Sequence, residues 1–374
     1  MDTTTNSHFS RFEMCRYVPH IMVCEPKTDG ISSVSNLLHF SVLGFSVWIV
    51  AFITCFGNAM VIICRIVLNE EKNVHSLFIK NLAAADFMLG IYLLIIASHD
   101  VLYRNQYNVY AMKWMDGWTC QVTGFIGTLA LEVSVLILTC MSIECSLTVS
   151  FPLKPRIMTI HRAGLVLTFI WVSGVVIAGV PIVFLSSFGR FYGDNGVCLP
   201  FHIHDPFVNG WQYSTFIFIF INLSAIVIIT VCYTVIFFSL KYTRTKIPNI
   251  VDMYDNENNL GNKVMKRKIQ TVDKRLFLIV WTNVLCWFPI TLIKIMALNS
   301  ITISDSFYAW LTIFVVPINS ALNPIIYSVT TASFKQKILK HYRVPVLGNG
   351  IQNMTFTVGE KFKSYIIYLF EFNF

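Results

Sequence analysis

Charged residues are scarce in this chain. Of its 374 residues only 13% are charged, whereas 55% are hydrophobic and the mean hydropathy is +0.63. A soluble domain has roughly 25% charged and 45–50% apolar residues. One soluble core cannot bury so large an apolar excess, so the composition favours a membrane protein over a large soluble helical protein.

Motifs of common enzymes and metal sites are also missing. The sequence has no glycine-rich phosphate loop, no HExxH and no CxxC pair. We therefore predict a protein that is not an enzyme. Residues 1–36 hold no apolar core of the length that a signal peptide needs. The first membrane segment is then expected to direct its own insertion.

Long apolar runs, by contrast, are abundant. Seven runs reach the ~20 residues that cross a hydrocarbon core as a helix, and single runs satisfy their backbone in lipid only as helices. The sequence therefore predicts an all-α membrane protein, a seven-transmembrane helix bundle. We number the runs span one to span seven: Phe40–Arg65, Leu77–Ser98, Cys120–Val149, Ala163–Ser186, Trp211–Leu240, Leu276–Leu298 and Phe307–Val329.

The basic residues predict the orientation of the bundle. With the amino terminus outside, 20 of the 28 Lys and Arg residues fall in inner segments and six in outer ones. The net charge of +8 then faces the inner leaflet and inner partners, which argues against nucleic-acid binding. We predict an extracellular segment over 1–39, the bundle over 40–329 and a cytoplasmic tail over 330–374, in the plasma membrane.

Ten cysteines are present, and four of them lie on the predicted outer side of the membrane. Cys120 heads span three and Cys198 lies between spans four and five. Because disulfides persist on the oxidising side, we predict that these two pair. Cys15 and Cys24 either pair with each other or have no intended partner.

Polar residues recur inside the spans, where they are costly and usually face the bundle interior. Asp86 is the hardest to accommodate, because a buried carboxylate needs a partner, a cation or a proton. Its expected neighbours form an oxygen-rich set without sulfur or imidazole, which suits a hard monovalent cation or ordered water. The neighbours are Asn58, Ser134, Asn319, Ser320 and Asn323. Lone Asn and Ser can also simply bond neighbouring helices.

Three further features have both a structural and a functional interpretation. Glu132 has Asn222 as a plausible partner, either as a coupling element between spans three and five or as a protonated structural carboxyl. Pro289 and Pro324 kink their helices and act either as hinges or as fixed bends. His202 and a second histidine two residues later, expected to be exposed in the outer loop, bind a metal, sense pH or do neither.

A resemblance connects these features. Asn58, the run from Asn81 to Asp86, Cys120, Trp171, CWFP at 286–289 and NPIIY at 323–327 together resemble rhodopsin-like G-protein-coupled receptors across all seven spans. Within that family the chain also resembles relaxin receptors of the leucine-rich-repeat hormone-receptor group. That likeness is carried by PKTDGISS (26–33), KNLAAADFMLGIYLLIIAS (80–98), EVSVLILT (132–139), FYGDNGVC (191–198), CWFPI (286–290) and PINSALNPIIY (317–327).

The resemblance implies a function for several positions. The Asp86 set would be an allosteric sodium pocket, Trp287 a rotamer switch, and Tyr233 and Tyr327 tyrosines that move on activation. A relaxin- or insulin-like peptide hormone would act from outside and a heterotrimeric G protein, with adenylate cyclase as the expected target, would bind inside. A short amphipathic helix would follow span seven on the membrane, and receptor oligomers are possible.

The sequence also departs from the resemblance. Cys145 follows Glu144 where the family places Arg or Lys, so Glu144 is expected to be protonated or to use Lys154, Arg156, Lys274 or Arg275. Asn283 stands where Asp is usual. Residues 1–40 show no leucine-rich period, and 364–374 are apolar but too short to span.

These departures keep an alternative open. A truncated, non-signalling isoform would modulate a full-length receptor by association. A transporter or channel is disfavoured because the chain shows no internal repeat.

Overall fold

The protein is described from a computed structural model over residues 6–8, 23–25, 29–67, 74–151, 158–184, 191–203, 206–251 and 282–329. The predicted tail helix, the aromatic residues 364–374, Cys15 and the side chain of Tyr327 lie outside this description. So do the four basic residues proposed as partners of Glu144.

Six helices in the described ranges are long and apolar enough to cross a membrane. They correspond to predicted spans one to five and seven: Ser41–Val67, Val74–Leu102, Trp118–Ser150, Ile160–Val183, Trp211–Ser239 and Asp305–Ile326. A shorter apolar helix, Thr282–Leu298, falls within predicted span six, whose first residues are outside the description. The helical membrane bundle predicted from the apolar runs is therefore observed.

Span three lies at the centre of the bundle. It packs against spans two, four and five. In its most apolar stretch 78% of the residues are buried, compared with 33% in the corresponding stretches of spans one and five. Large apolar side chains on the peripheral spans are exposed instead, as expected for surfaces that face lipid. Examples are Phe45, Phe52, Phe169 and Phe220.

Two spans depart from a regular α-helix, which the sequence did not predict. Span five runs as an α-helix over Trp211–Thr215, a π-helix over Phe216–Ile221 and an α-helix over Asn222–Val251. Span seven repeats the pattern over Asp305–Trp310, Leu311–Val315 and Val316–Val329. A π-turn adds a residue to the turn and rotates the rest of the helix about its axis, and such turns are frequent at functional sites.

Glycine allows neighbouring spans to approach closely. A Cβ at Gly90 of span two would collide with the Cys55 side chain of span one, and one at Gly174 of span four would lie 2.5 Å from Val133 Cγ2. Lipid tails are as apolar as the helix surfaces, so the hydrophobic effect does not drive helices together within the membrane. Small residues at the crossings let the helix backbones approach closely and gain van der Waals contact instead. These contacts fix span one against span two and span four against span three.

Regular secondary structure also occurs outside the spans in the part of the chain that the structure describes. A helix over Tyr107–Met115 connects spans two and three, and Asn6–His8 pairs in parallel with Val23–Glu25, with Asn6 opposite Val23. Span four begins at an N-cap, where the Thr159 hydroxyl accepts a 3.3 Å hydrogen bond from the Arg162 backbone N–H.

Candidate functional site

Asp86 lies at the centre of a buried polar cluster that joins spans two, three and seven. Ser134 and Ser320 donate from their hydroxyls to Asp86 Oδ1 at 3.0 and 2.7 Å. Asn323 donates from its amide to Oδ2 at 2.7 Å. The Asp86 side chain is fully buried. The three donors therefore replace the hydrogen bonds that water would make to an exposed carboxyl.

The remaining predicted neighbours of Asp86 form a second layer. Asn58 donates to the backbone carbonyls of Thr54 and Ser320, at 2.9 and 3.1 Å. Asn319 donates to Asn283 Oδ1 at 3.1 Å and so extends the cluster from span seven to span six. Asn319 was predicted in the cation set, and its amide is bonded to Asn283 rather than to Asp86.

Oxygen atoms are the potential cation ligands of this cluster. Within the described residues, Asn319 Oδ1 and Asn323 Oδ1 are buried and accept no hydrogen bond. The Asp86 carboxyl and the two serine hydroxyls bonded to it are all oxygen donors, a type that suits a hard cation and not a thiolate- or imidazole-binding metal. No group of three His, Cys, Asp or Glu side chains in the described chain could hold a metal ion.

Trp287, Pro289 and Pro324 of the predicted switch lie on spans six and seven, which also carry Asn283 and Asn323. Trp287 is buried in span six, and its backbone carbonyl accepts a 3.0 Å hydrogen bond from the Thr291 hydroxyl. Pro289 interrupts the backbone hydrogen bonding of the same helix about one turn after Cys286 and nearly two turns after Asn283. Pro324 follows Asn323 inside the span-seven helix, next to Gly57 of span one.

Glu132 and Asn222 form a second polar connection, between spans three and five. Asn222 donates from its amide to Glu132 Oε1 at 3.0 Å, and both side chains are at most 1% exposed. The π-turn over Phe216–Ile221 ends where Asn222 begins. Glu132 Oε2 and Asn222 Oδ1 make no hydrogen bond within the described residues, so the structure brings the predicted pair together with one oxygen of each still unpaired.

The predicted disulfide closes one end of the bundle, which we call the disulfide end. Cys120 and Cys198 are bonded, with 5.4 Å between their Cα atoms. The loop before Cys198 is held by two side chains of the bundle. Tyr92 donates to the Val197 carbonyl at 2.7 Å and Trp114 to the Gly196 carbonyl at 2.8 Å.

The segment before span one is also fixed at the disulfide end. Asp29 accepts hydrogen bonds from the backbone N–H groups of Ser32, at 2.7 Å, and Gly196, at 2.5 Å. Asp100 of span two accepts from the Leu38 N–H at 2.9 Å and from Arg104 at 2.9 Å. Neither Asp29 nor Asp100 was singled out from the sequence, because both look like ordinary boundary acids.

Two features at the disulfide end differ from the sequence interpretation. His202 was expected to be exposed, but it is 1% exposed, because the disulfide draws the loop onto the bundle. Burial and then the positive charge of Lys294 lower the pKa of His202 from 6.5 to about 3. Its imidazole lies 3.5 Å from Asp194, but a neutral ring makes no ion pair there.

Lys294 of span six is the functional candidate that the sequence interpretation missed. From the sequence it is only one of the two basic residues that fall in neither the inner nor the outer segments. It is 1% exposed and donates to the backbone carbonyls of Phe201 and His202. An ionisable residue in a membrane helix is itself a signal of function, and that signal was available.

At the opposite end of span three, Glu144 and Cys145 lie next to span five. Glu144 Oε1 accepts a 3.3 Å hydrogen bond from Thr148 one turn later. Cys145 interacts with Cys232, and Tyr233 interacts with Ser142 and both thiols. Tyr233 therefore lies against the residue that replaces the usual cation.

Comparison with known proteins agrees with this arrangement. Residues 57–327 match the rhodopsin family of 7 transmembrane receptors. Relaxin receptor 1 of Mus musculus is 40% identical over 335 residues, which are 88% of this chain and 42% of the mouse protein. Relaxin receptor 2 of Homo sapiens is 38% identical over 332 residues, with coverages of 88% and 42%.

A molluscan relative extends the similarity. The G-protein coupled receptor GRL101 of Lymnaea stagnalis is 35% identical over 329 residues, 88% of this chain and 28% of that protein. The chain thus spans about two fifths or less of the length of these relatives. The polar cluster and the disulfide lie within residues 57–327, and the chain belongs to the rhodopsin family of seven-transmembrane receptors.

Proposed function

We propose that this protein is a receptor of relaxin-receptor type that transmits a peptide-hormone signal across the plasma membrane to a heterotrimeric G protein, with adenylate cyclase as the target. Two of the similar proteins described above are named relaxin receptors. The distribution of Lys and Arg supports an extracellular disulfide end and a cytoplasmic opposite end.

One observation carries the proposal. Hydrogen bonds join spans two, three, six and seven through Asp86, Ser134, Asn323, Asn319 and Asn283. This chain of contacts ends at Asn283, about one turn from Trp287 and nearly two turns from Pro289. In the proposed mechanism this network exchanges partners beside the proline kink, so that a signal at one end shifts the population between two arrangements of the bundle.

Sodium binding at the Asp86 cluster would regulate that shift. The cluster residues would hold the ion through the carboxyl of Asp86, the hydroxyls of Ser134 and Ser320 and the side-chain oxygen of Asn323. A bound cation supplies positive charge beside a buried carboxyl and favours the arrangement that keeps these oxygens together. Without the cation, the hydrogen bond from the Asn323 amide to Asp86 favours the arrangement seen here.

The cytoplasmic contact is proposed at Glu144, Cys145 and Tyr233. A thiol at 145 cannot supply the positive charge that the family places there, so coupling through this surface should be weaker than with arginine. The Cys145→Arg variant restores the charge and serves as a gain-of-function control.

The test is cyclic AMP in cells that express the chain or Cys145→Arg, with surface expression measured in parallel, with and without a relaxin-type peptide. We expect both to raise cyclic AMP above empty vector and the variant to raise it more. No rise in either, at confirmed surface expression, contradicts the proposal.

A further inference from the structure

The carbonyl oxygens of Phe201 and His202 both point at one ammonium group. Lys294 Nζ lies 2.7 Å from the Phe201 oxygen and 3.1 Å from the His202 oxygen. Asp194 of the same loop also interacts with Lys294. A lysine buried to 1% exposure without such partners would be very costly, so the loop provides the environment that Lys294 needs.

The same loop is covalently bound to span three. Cys198 carries the disulfide to Cys120 and lies three residues before Phe201. Three residues of extended chain reach at most about 10 Å. Residues 198–202, which we call the strap, therefore connect the disulfide end of span three to span six over a short distance.

Span five holds the strap as well. Ser214 donates to the Pro200 carbonyl at 2.5 Å, and the rings of Phe201 and Phe218 lie 4.8 Å apart. Within the strap, Phe201 N–H donates to the Leu199 carbonyl at 2.9 Å. These contacts keep the strap compact, so it has little slack.

The backbone at both ends of the strap is held in an uncommon conformation. Cys198 has φ 57° and His202 has φ 49°, in the left-handed region that non-glycine residues seldom adopt. Such a conformation persists only where its surroundings impose it. The disulfide and the ammonium contact are located at these two residues.

We propose that Lys294 is a positioning residue that fastens the strap to span six, so that movement of the loop at the disulfide end moves span six relative to span three. Pro289 lies between Lys294 and the half of span six that the proposed function requires to move, and it provides the bend. This consequence rests on the proposed function, whereas the fastening itself does not.

Hydrogen–deuterium exchange on the purified full chain in lipid nanodiscs tests the fastening without a G protein. In Lys294→Met the strap loses two charge-assisted hydrogen bonds. We expect the protection of the amides of residues 191–203 and of residues 290–298 to fall about tenfold or more. Lys294→Arg keeps a cation with several donors and should recover most of the protection in both segments.

Thr291→Ala is the matched control. Thr291 is buried one turn earlier on the same helix and donates to the Trp287 carbonyl of its own helix. It should leave residues 191–203 unchanged. Equal loss of loop protection in Thr291→Ala and Lys294→Met, or no loss in Lys294→Met, would overturn the proposal.

A second measurement applies if Lys294→Met does not fold. Replacement of both Cys120 and Cys198 by Ala releases the other end of the strap, although neither cysteine lies on span six. We expect exchange in residues 290–298 to rise in this variant; unchanged exchange there overturns the proposal. If these variants alter exchange but not cyclic AMP, the result supports the fastening by Lys294 and counts only against the proposed function.

Discussion

Asn222 donates a 3.0 Å hydrogen bond to Glu132 Oε1 and so joins span five to span three at full burial. Glu132 Oε2 and Asn222 Oδ1 stay unpaired within the described residues. An isolated carboxylate is very costly in an apolar medium. A protonated Glu132 removes that charge and gains a donor for an unpaired oxygen, so we expect the carboxyl to be neutral.

Glu132→Gln should therefore be tolerated. Glutamine has nearly the same shape and no charge, so the free energy of unfolding should change by less than about 0.5 kcal/mol. Asn222→Leu should cost about 1–3 kcal/mol, because it removes the donor and leaves a buried carboxyl unpaired.

Thermal unfolding of the detergent-purified variants measures both effects. The double variant Glu132→Leu with Asn222→Leu should be more stable than Asn222→Leu alone, since no polar group remains unpaired. If Asn222→Leu is as stable as the unmodified protein, the pair does not join the two spans energetically.

Sodium should stabilise the protein through Asp86. At a sodium concentration ten times its Kd, the unfolding free energy should rise by about 1.4 kcal/mol relative to choline chloride of equal ionic strength. Asp86→Asn should abolish the difference because the carboxyl charge is lost. Asp100→Asn is the control, since Asp100 is also buried but lies at the disulfide end beside Arg104; a sodium effect that survives Asp86→Asn would place the ion elsewhere.

Acid should loosen the loop at the disulfide end through His202. Burial and the charge of Lys294 lower the pKa of its imidazole from 6.5 to about 3 in the folded protein. The unfolded loop therefore binds the proton more readily, and the stability is fully present above pH 6.5 and declines as the pH falls toward 3. Asp194 faces the ring at 3.5 Å and partly offsets the repulsion from Lys294.

Exchange of the amides of residues 191–203 at several pH values, corrected for intrinsic exchange, measures this loosening. His202→Gln should flatten the dependence between pH 5 and 7.5. A loop that loosens equally in the variant would assign the effect to another group.

Much of the fold and part of the site could be predicted from the sequence. The apolar runs located the spans to within a few residues at most ends, because length and hydropathy are local properties. Cys120 and Cys198 could be paired because they lie on the same side of the membrane. Glu132 and Asn222 were suggested as partners because each is costly alone in its span.

Other features depend on tertiary contacts and leave little local signal. The two π-turns consist of the mainly apolar runs FIFIFI and LTIFV. Nothing in these residue types marks the extra residue of the turn. The partners of Lys294 are backbone carbonyls, which any sequence would supply. His202 is buried because a disulfide four residues earlier fixes the loop, a restraint that acts at a distance from its own neighbours.

Two glycines give a matched test of packing in the bundle. A Cβ at Gly124 of span three would collide with the Tyr192 ring and the Cys198 carbonyl, whereas one at Gly164 of span four meets nothing within 4 Å. Gly124→Ala should lower the free energy of unfolding by about 1–3 kcal/mol. Gly164→Ala should be neutral or stabilising, by up to about 1 kcal/mol, because alanine favours the helix.

Thermal unfolding of these two variants under the same conditions reports the difference directly. Equal stability of Gly124→Ala and Gly164→Ala would contradict the close contact of Tyr192 and Cys198 with Gly124 of span three.

The central claim is that this bundle couples to a G protein through the end that carries Glu144 and Cys145. The most direct measurement is nucleotide exchange on a purified heterotrimeric G protein that stimulates adenylate cyclase, with the protein reconstituted in nanodiscs and its Cys120–Cys198 disulfide verified. We predict faster exchange with the protein than with empty nanodiscs, and a further increase with Cys145→Arg. Exchange no faster than with empty nanodiscs, for folded protein of both forms, would contradict the account.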